Sequence, residues 1–127
     1  MKLYICNSLA LGMLDRSIQA LSLDDCATMG SPRIPYPISL ERARELVAMA
    51  SDVVPAVGHA DTAAVLATAL GLTVSQVSDR KTVRLQGSPS GYTECVEYAL
   101  IGAYVGPRLP EGCTTLPEGA TIEWWLV

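Results

Sequence analysis

The chain has 127 residues, half of them apolar, with a formal charge of −4 and a pI of about 4.8. That is enough chain to bury one core without covalent staples, and too apolar a composition for disorder. The acidic balance excludes a protein that holds long nucleic acids through a broad basic surface, so a small anionic ligand must be met by a local cluster of donors.

Residues 2–6, Lys-Leu-Tyr-Ile-Cys, carry the β-branched and aromatic content of a first strand, ending at Asn7 and Ser8. Polar residues leaving the C-terminal end of a strand line the crevice of an α/β sheet, or else simply fix the turn through the Asn7 side chain. Residues 9–14 follow as a turn with apolar side chains. Residues 17–23 suit a second short strand, and 24–38, with Gly30, Pro32, Pro35 and Pro37, read as an irregular surface excursion. Ser39 caps a helix in which Leu40, Ala43, Leu46, Val47 and Ala50 share one face, leaving Glu41, Arg42, Arg44 and Glu45 to solvent.

Residues 55–62 hold the single histidine of the chain: a strand end, the Gly58-His59 turn, then a helix over 63–70 with Gly71 just past its end. Asp61 or Thr62 can cap its first turn. The free N–H groups and positive dipole end of such a helix suit a phosphate or carboxylate, and an imidazole beside them can protonate it. The plain alternative is a turn histidine bonded to backbone. Residues 81–86 alternate as a half-buried strand with Arg80 at its entrance; 87–91 form a turn that suggests a hairpin. Residues 92–105 make a long strand or a bulged pair of strands, 106–112 a rigid loop presenting Arg108 and Glu111, and 120–127 the last strand. No internal repeat is apparent. These elements make a single α/β (α+β) domain over residues 1–127, a mixed sheet of about five strands with two main helices.

Cys6, Cys26, Cys95 and Cys113 form no C-x-x-C pair, and one histidine is too few for the usual zinc pattern. They read as free thiols of a cytoplasmic protein, with a disulfide framework the alternative. The start of the chain lacks a signal peptide's apolar region, and no stretch nears the ~20 apolar residues of a membrane span. Asp24, Asp25, Asp61 and Asp79 lack calcium- or magnesium-loop spacing, so neither a metal nor an organic cofactor is expected. Ser8 with His59 lacks both a nucleophile elbow and an orienting acid. The workable set is His59, Arg108 and Glu111: a guanidinium to grip phosphate oxygens, an imidazole to protonate a leaving oxygen, and a carboxylate.

Asn7-Ser8-Leu9 after the first strand, Gly58-His59 opening an alanine-rich helix, and Arg108-Leu109-Pro110-Glu111-Gly112 occur in this order. In these features the chain resembles the viral ring nucleases, the type III anti-CRISPR proteins that degrade cyclic tetra-adenylate, and their bacterial and phage relatives. The resemblance implies a homodimer that clamps cyclic tetra-adenylate between its subunits and cleaves it to linear diadenylates without metal, by attack of a ribose 2′-hydroxyl. It casts His59 as general acid, Arg108 as the phosphate-gripping arginine and Glu111 as the assisting glutamate. Asn7, with Ser8 and Gly58 beside the site, would line the ligand, and Arg80 would be a second phosphate-binding arginine, with Arg84 as its rival. Where the family has an active-site serine this chain has Ala10; Ser8 shares that face only if the backbone there is extended. A non-catalytic homodimer binding a nucleotide or DNA is the alternative function.

Overall fold

Leu3 and Ile5 point to one side of strand β1 (Lys2–Cys6) and Tyr4 and Cys6 to the other, and this alternation divides the whole molecule into two layers of apolar packing. The computed structural model describes residues 1–8, 35–81, 83, 85 and 97–127. In chain order after β1 come β2 (Tyr36–Ile38), α1 (Leu40–Met49), β3 (Asp52–Pro55), α2 (Ala60–Leu70), a 3-10 turn (Val74–Gln76), β4 (Glu97–Val105) and β5 (Thr121–Leu126). The strands form one mixed sheet in the order β2-β5-β4-β1-β3. β1 pairs in parallel with both β3 and β4, Lys2 standing opposite Asp52 on one side and Glu97 on the other. β5 is antiparallel to β4 and to β2, so it alone runs against the other four.

Both helices lie on the Leu3–Ile5 side. Ala43 and Leu46 of α1 and Ala63, Leu66, Ala67 and Leu70 of α2 are buried there against Leu100 and Trp124. Each fully buried leucine contributes roughly 1.5–3 kcal/mol. Gly102 of β4 makes the close approach of α2 possible: a Cβ there would lie 2.7 Å from Leu66 Cδ2 and 2.8 Å from the Trp124 ring. The Arg44 guanidinium ties the helices together, its Nε donating to the Ala69 carbonyl at 2.9 Å, one of the four carbonyls that α2 cannot satisfy internally. On the opposite side Cys6, Ala99 and Ile101 pack with Val83, Leu85 and Val127.

The expected α+β domain, with a five-stranded mixed sheet and two main helices, is what forms, but two of its strands are not those expected. Residues 36–38, read as irregular, are the edge strand β2. Pro37 is tolerated there because, among the described residues, β2 pairs on one side alone, with β5, so the missing N–H can face outward. β3 is a full strand where only a strand end was anticipated. Lys81, Val83 and Leu85 carry no strand assignment; Val83 and Leu85 are buried and Lys81 is exposed. The expected strand at 17–23, the turn at 87–91, and Ala10 and Arg84 lie outside the described residues.

Helix α1 starts as anticipated: the Ser39 hydroxyl accepts from Arg42 N at 3.1 Å. Helix α2 starts three residues earlier than expected, and its cap position is held by His59, not Asp61 or Thr62. It ends as expected at Gly71, whose φ of 71° places it in the left-handed region that glycine occupies without strain.

Candidate functional site

The two parallel strands flanking β1 bring the candidate residues to one end of the sheet. The chain leaves the C-terminal end of β3, passes Gly58 and His59, and enters α2; it later leaves the C-terminal end of β4 into the loop bearing Arg108 and Glu111. The crossover from β3 to β4 passes β1, and crevices beyond the carboxyl ends of strands at such a point are where α/β sheets take ligands. Two inter-strand spacings separate β3 from β4, about 10 Å. A cleft of about 740 Å³ opens there, lined by His59, Asp61, Thr62, Tyr104, Arg108 and Glu111 among others.

His59 occupies the cap position with extended φ and ψ of −97° and 118°, its carbonyl accepting from Ala63 N at 2.9 Å, while its side chain makes no capping hydrogen bond. The imidazole is exposed in the cleft, and the first N–H groups of α2 lack a side-chain partner from it. The helix end therefore presents donors and a partial positive charge. Asp61 in the first turn offsets part of that charge and is half-buried.

On the opposite wall the loop is built from turns. The Pro110 carbonyl accepts from Cys113 N at 3.1 Å, with Glu111 and Gly112 at the corners and Gly112 at a φ of 76°. Positive φ at the second corner is what a type II turn demands, and glycine meets it at least cost. The same Leu-Pro-Glu-Gly run recurs at 116–119, a short repeat not recognised in the sequence reading. It makes the same turn, Ala120 N donating to the Pro117 carbonyl at 3.1 Å with Gly119 at 81°. Only Glu111 of the two turn glutamates lines the cleft. Arg108 and Glu111 are exposed and, among the described residues, neither is in an ion pair. Arg108 and His59 line the same cleft and, among the described residues, neither is in an ion pair, a combination suited to a phosphate.

Arg80 reaches the same neighbourhood by another route. Val57 and Ser78 form a parallel bridge, with Val57 N donating to the Val77 carbonyl at 3.0 Å and Asp79 N to the Val57 carbonyl at 3.1 Å. That short ladder sets Arg80 beside Gly58, next to the histidine. Asn7 and Ser8 do not join this cleft in the single chain. They line a separate, more apolar one with Pro35, Ile101, Ala103 and Trp125. Asn7 directly follows β1, whose last residue Cys6 pairs with Ile101 of β4, so this second cleft lies at the same end of the sheet.

Tyr104 lines the His59 cleft without having been singled out in the sequence, and Thr62 lines it although it was read only as a helix cap. Tyr104 alternates with Gly102 and so faces the helix side; its place two residues before the Gly-Pro-Arg loop was the available signal. No three His, Cys, Asp or Glu side chains are grouped to hold a metal ion among the described residues, and no helix there is long and apolar enough to cross a membrane. Compared with known proteins, the chain matches no family model and no curated sequence significantly.

Proposed function

We propose that this protein is a ring nuclease that cleaves cyclic tetra-adenylate to linear diadenylates without metal, and so switches off type III CRISPR signalling in the cytoplasm. The observation that carries the reading is the convergence of His59 with Arg108 and Glu111 of a loop distant in sequence on one cleft at a helix mouth.

In the proposed reaction a ribose 2′-oxygen attacks the adjacent phosphorus as the bond to the 5′-oxygen breaks. One product end is a 2′,3′-cyclic phosphate and the other a 5′-hydroxyl. Arg108 holds the nonbridging oxygens, and the N–H groups of α2 stabilise the charge that builds on them. Glu111 accepts the 2′-hydroxyl proton, and His59 gives one to the departing 5′-oxygen. Cleavage at two opposite linkages yields two diadenylates. A homodimer supports this arithmetic: Arg80 and Arg108 from each of two protomers would match four phosphates in a protein that is acidic overall.

A test is incubation with cyclic tetra-adenylate in EDTA, with products followed by chromatography. Wild-type protein should linearise the ring, and His59→Ala should slow cleavage by about 10²–10⁴-fold with binding little changed. Intact ligand at stoichiometric enzyme, or an undiminished rate in His59→Ala, rejects catalysis. The second reading, a non-catalytic homodimer that sequesters a nucleotide or DNA, is favoured by Asn7 and Ser8 lining a cleft apart from His59. Tight binding without turnover is its signature.

A further inference from the structure

Arg108 has no ion-pair partner among the described residues, so no acid among them sets its direction. What sets it is the backbone just before it. Tyr104, half-buried on the helix-facing side of β4, donates its hydroxyl to the carbonyl of Pro107. That carbonyl belongs to the peptide unit whose N–H is Arg108's own, so the bond fixes the plane from which the arginine projects. The proline ring fixes φ of Pro107 itself, the residue directly before Arg108. One step earlier, Gly106 at a φ of 152° lies so close to the returning end of the loop that a Cβ would be 2.7 Å from Ala120 Cβ and 3.4 Å from the Tyr104 hydroxyl oxygen. Ala120 in turn precedes Thr121, which pairs with Val105. The base of the loop is thus closed by Gly106 on Ala120, and its peptide plane is pinned by Tyr104.

We propose that Tyr104 is a positioning residue for phosphate binding: through the Pro107 carbonyl it holds Arg108 facing the mouth of α2, across the cleft from His59. The inference rests on the phosphodiester-cleaving reading of this cleft and adds to it the residue that pre-aims the arginine. Pre-aiming matters because a guanidinium on a free loop loses rotational freedom whenever it grips a phosphate, and a held one has already lost it.

The experiment uses inorganic phosphate as probe and the ring protons of His59, the chain's single histidine, as an unambiguous NMR reporter. Phosphate is titrated into wild type, Tyr104→Phe, Arg108→Gln and the double variant, with thermal melting of each as a check on folding. Tyr104→Phe should weaken phosphate binding about five- to tenfold, the worth of one hydrogen bond. Arg108→Gln should weaken it further, and adding Tyr104→Phe to Arg108→Gln should change nothing more. Gly106→Ala, whose methyl would press on Ala120 and reach the Tyr104 hydroxyl at the loop base, should weaken binding in the same Arg108-dependent way. Additive effects in the double variant, unchanged binding in a folded Tyr104→Phe, or no phosphate response of His59 in wild type overturns the proposal. A coupled cycle in a protein that leaves cyclic tetra-adenylate intact retains the positioning role and removes the nuclease reading, so the two fail separately.

Discussion

The side chain of Arg80 lies across Gly58, its Cγ 3.4 Å from where a Cβ at Gly58 would stand. Gly58 immediately precedes the histidine, so this contact sets a second guanidinium beside the mouth of α2. Arg80 is exposed and, among the described residues, is in no ion pair. Arg80→Ala should weaken binding of cyclic tetra-adenylate about tenfold and make it less sensitive to salt, because one fewer phosphate contact releases fewer counterions. Calorimetry at two salt concentrations measures both. Unchanged affinity and salt slope would remove Arg80 from the ligand site.

Gly102 is where α2 touches the sheet most closely. The methyl of Gly102→Ala must displace Leu66, whose tip can move, and Trp124, whose ring cannot easily. The substitution should cost about 1–3 kcal/mol, the usual penalty for overpacking a core. Urea unfolding reads this as a lower midpoint with unchanged slope.

Ser39 satisfies one of the unpaired N–H groups at the start of α1 through its bond to Arg42 N. Ser39→Ala should lower stability by about 0.5–2 kcal/mol, and Ser39→Asp should restore it. Because Ser39 is not among the residues lining the His59 cleft, any cleavage by the folded fraction should be unchanged.

The two described cysteines differ in chemistry. Burial pushes the Cys6 thiol up to about 12, so it stays protonated and unreactive at neutral pH. Cys113 is only half-buried, its thiol donating to the Thr115 carbonyl at 2.8 Å. Alkylation of the native protein near pH 8, mapped by peptide mass spectrometry, should label Cys113 well before Cys6. Raising the pH toward 12 should bring Cys6 closer to Cys113, since the thiolate is the reacting form.

The local signals were strong enough to read helix α1 almost to the residue: an apolar face at helical spacing preceded by a serine. Gly71 likewise marked the end of α2, because the left-handed cap conformation is costly for other residues. The start of α2 was misread because Asp61 and Thr62 are good capping residues by type. The helix nevertheless begins before them, with His59 in the cap position and Val57 pinned by its bridge to Ser78. Strand β2 was missed because three residues around a proline carry no alternation; β5 alone makes them a strand.

By itself the sequence determined the kinds of chemistry present: one imidazole, a few arginines, turn glutamates, no paired metal ligands, and helices with one apolar face. It also contained two Leu-Pro-Glu-Gly turns of equal local quality, with an arginine before only the first. Which turn faces the histidine, and that Asn7 and Ser8 open onto a different cleft, was decided by the order β2-β5-β4-β1-β3. Strand order depends on contacts between residues distant in sequence, and local propensity does not encode these. Parallel pairing of β3 and β4 to the same central strand put both of their C-terminal ends on one side, and His59 and Arg108 meet there for that reason.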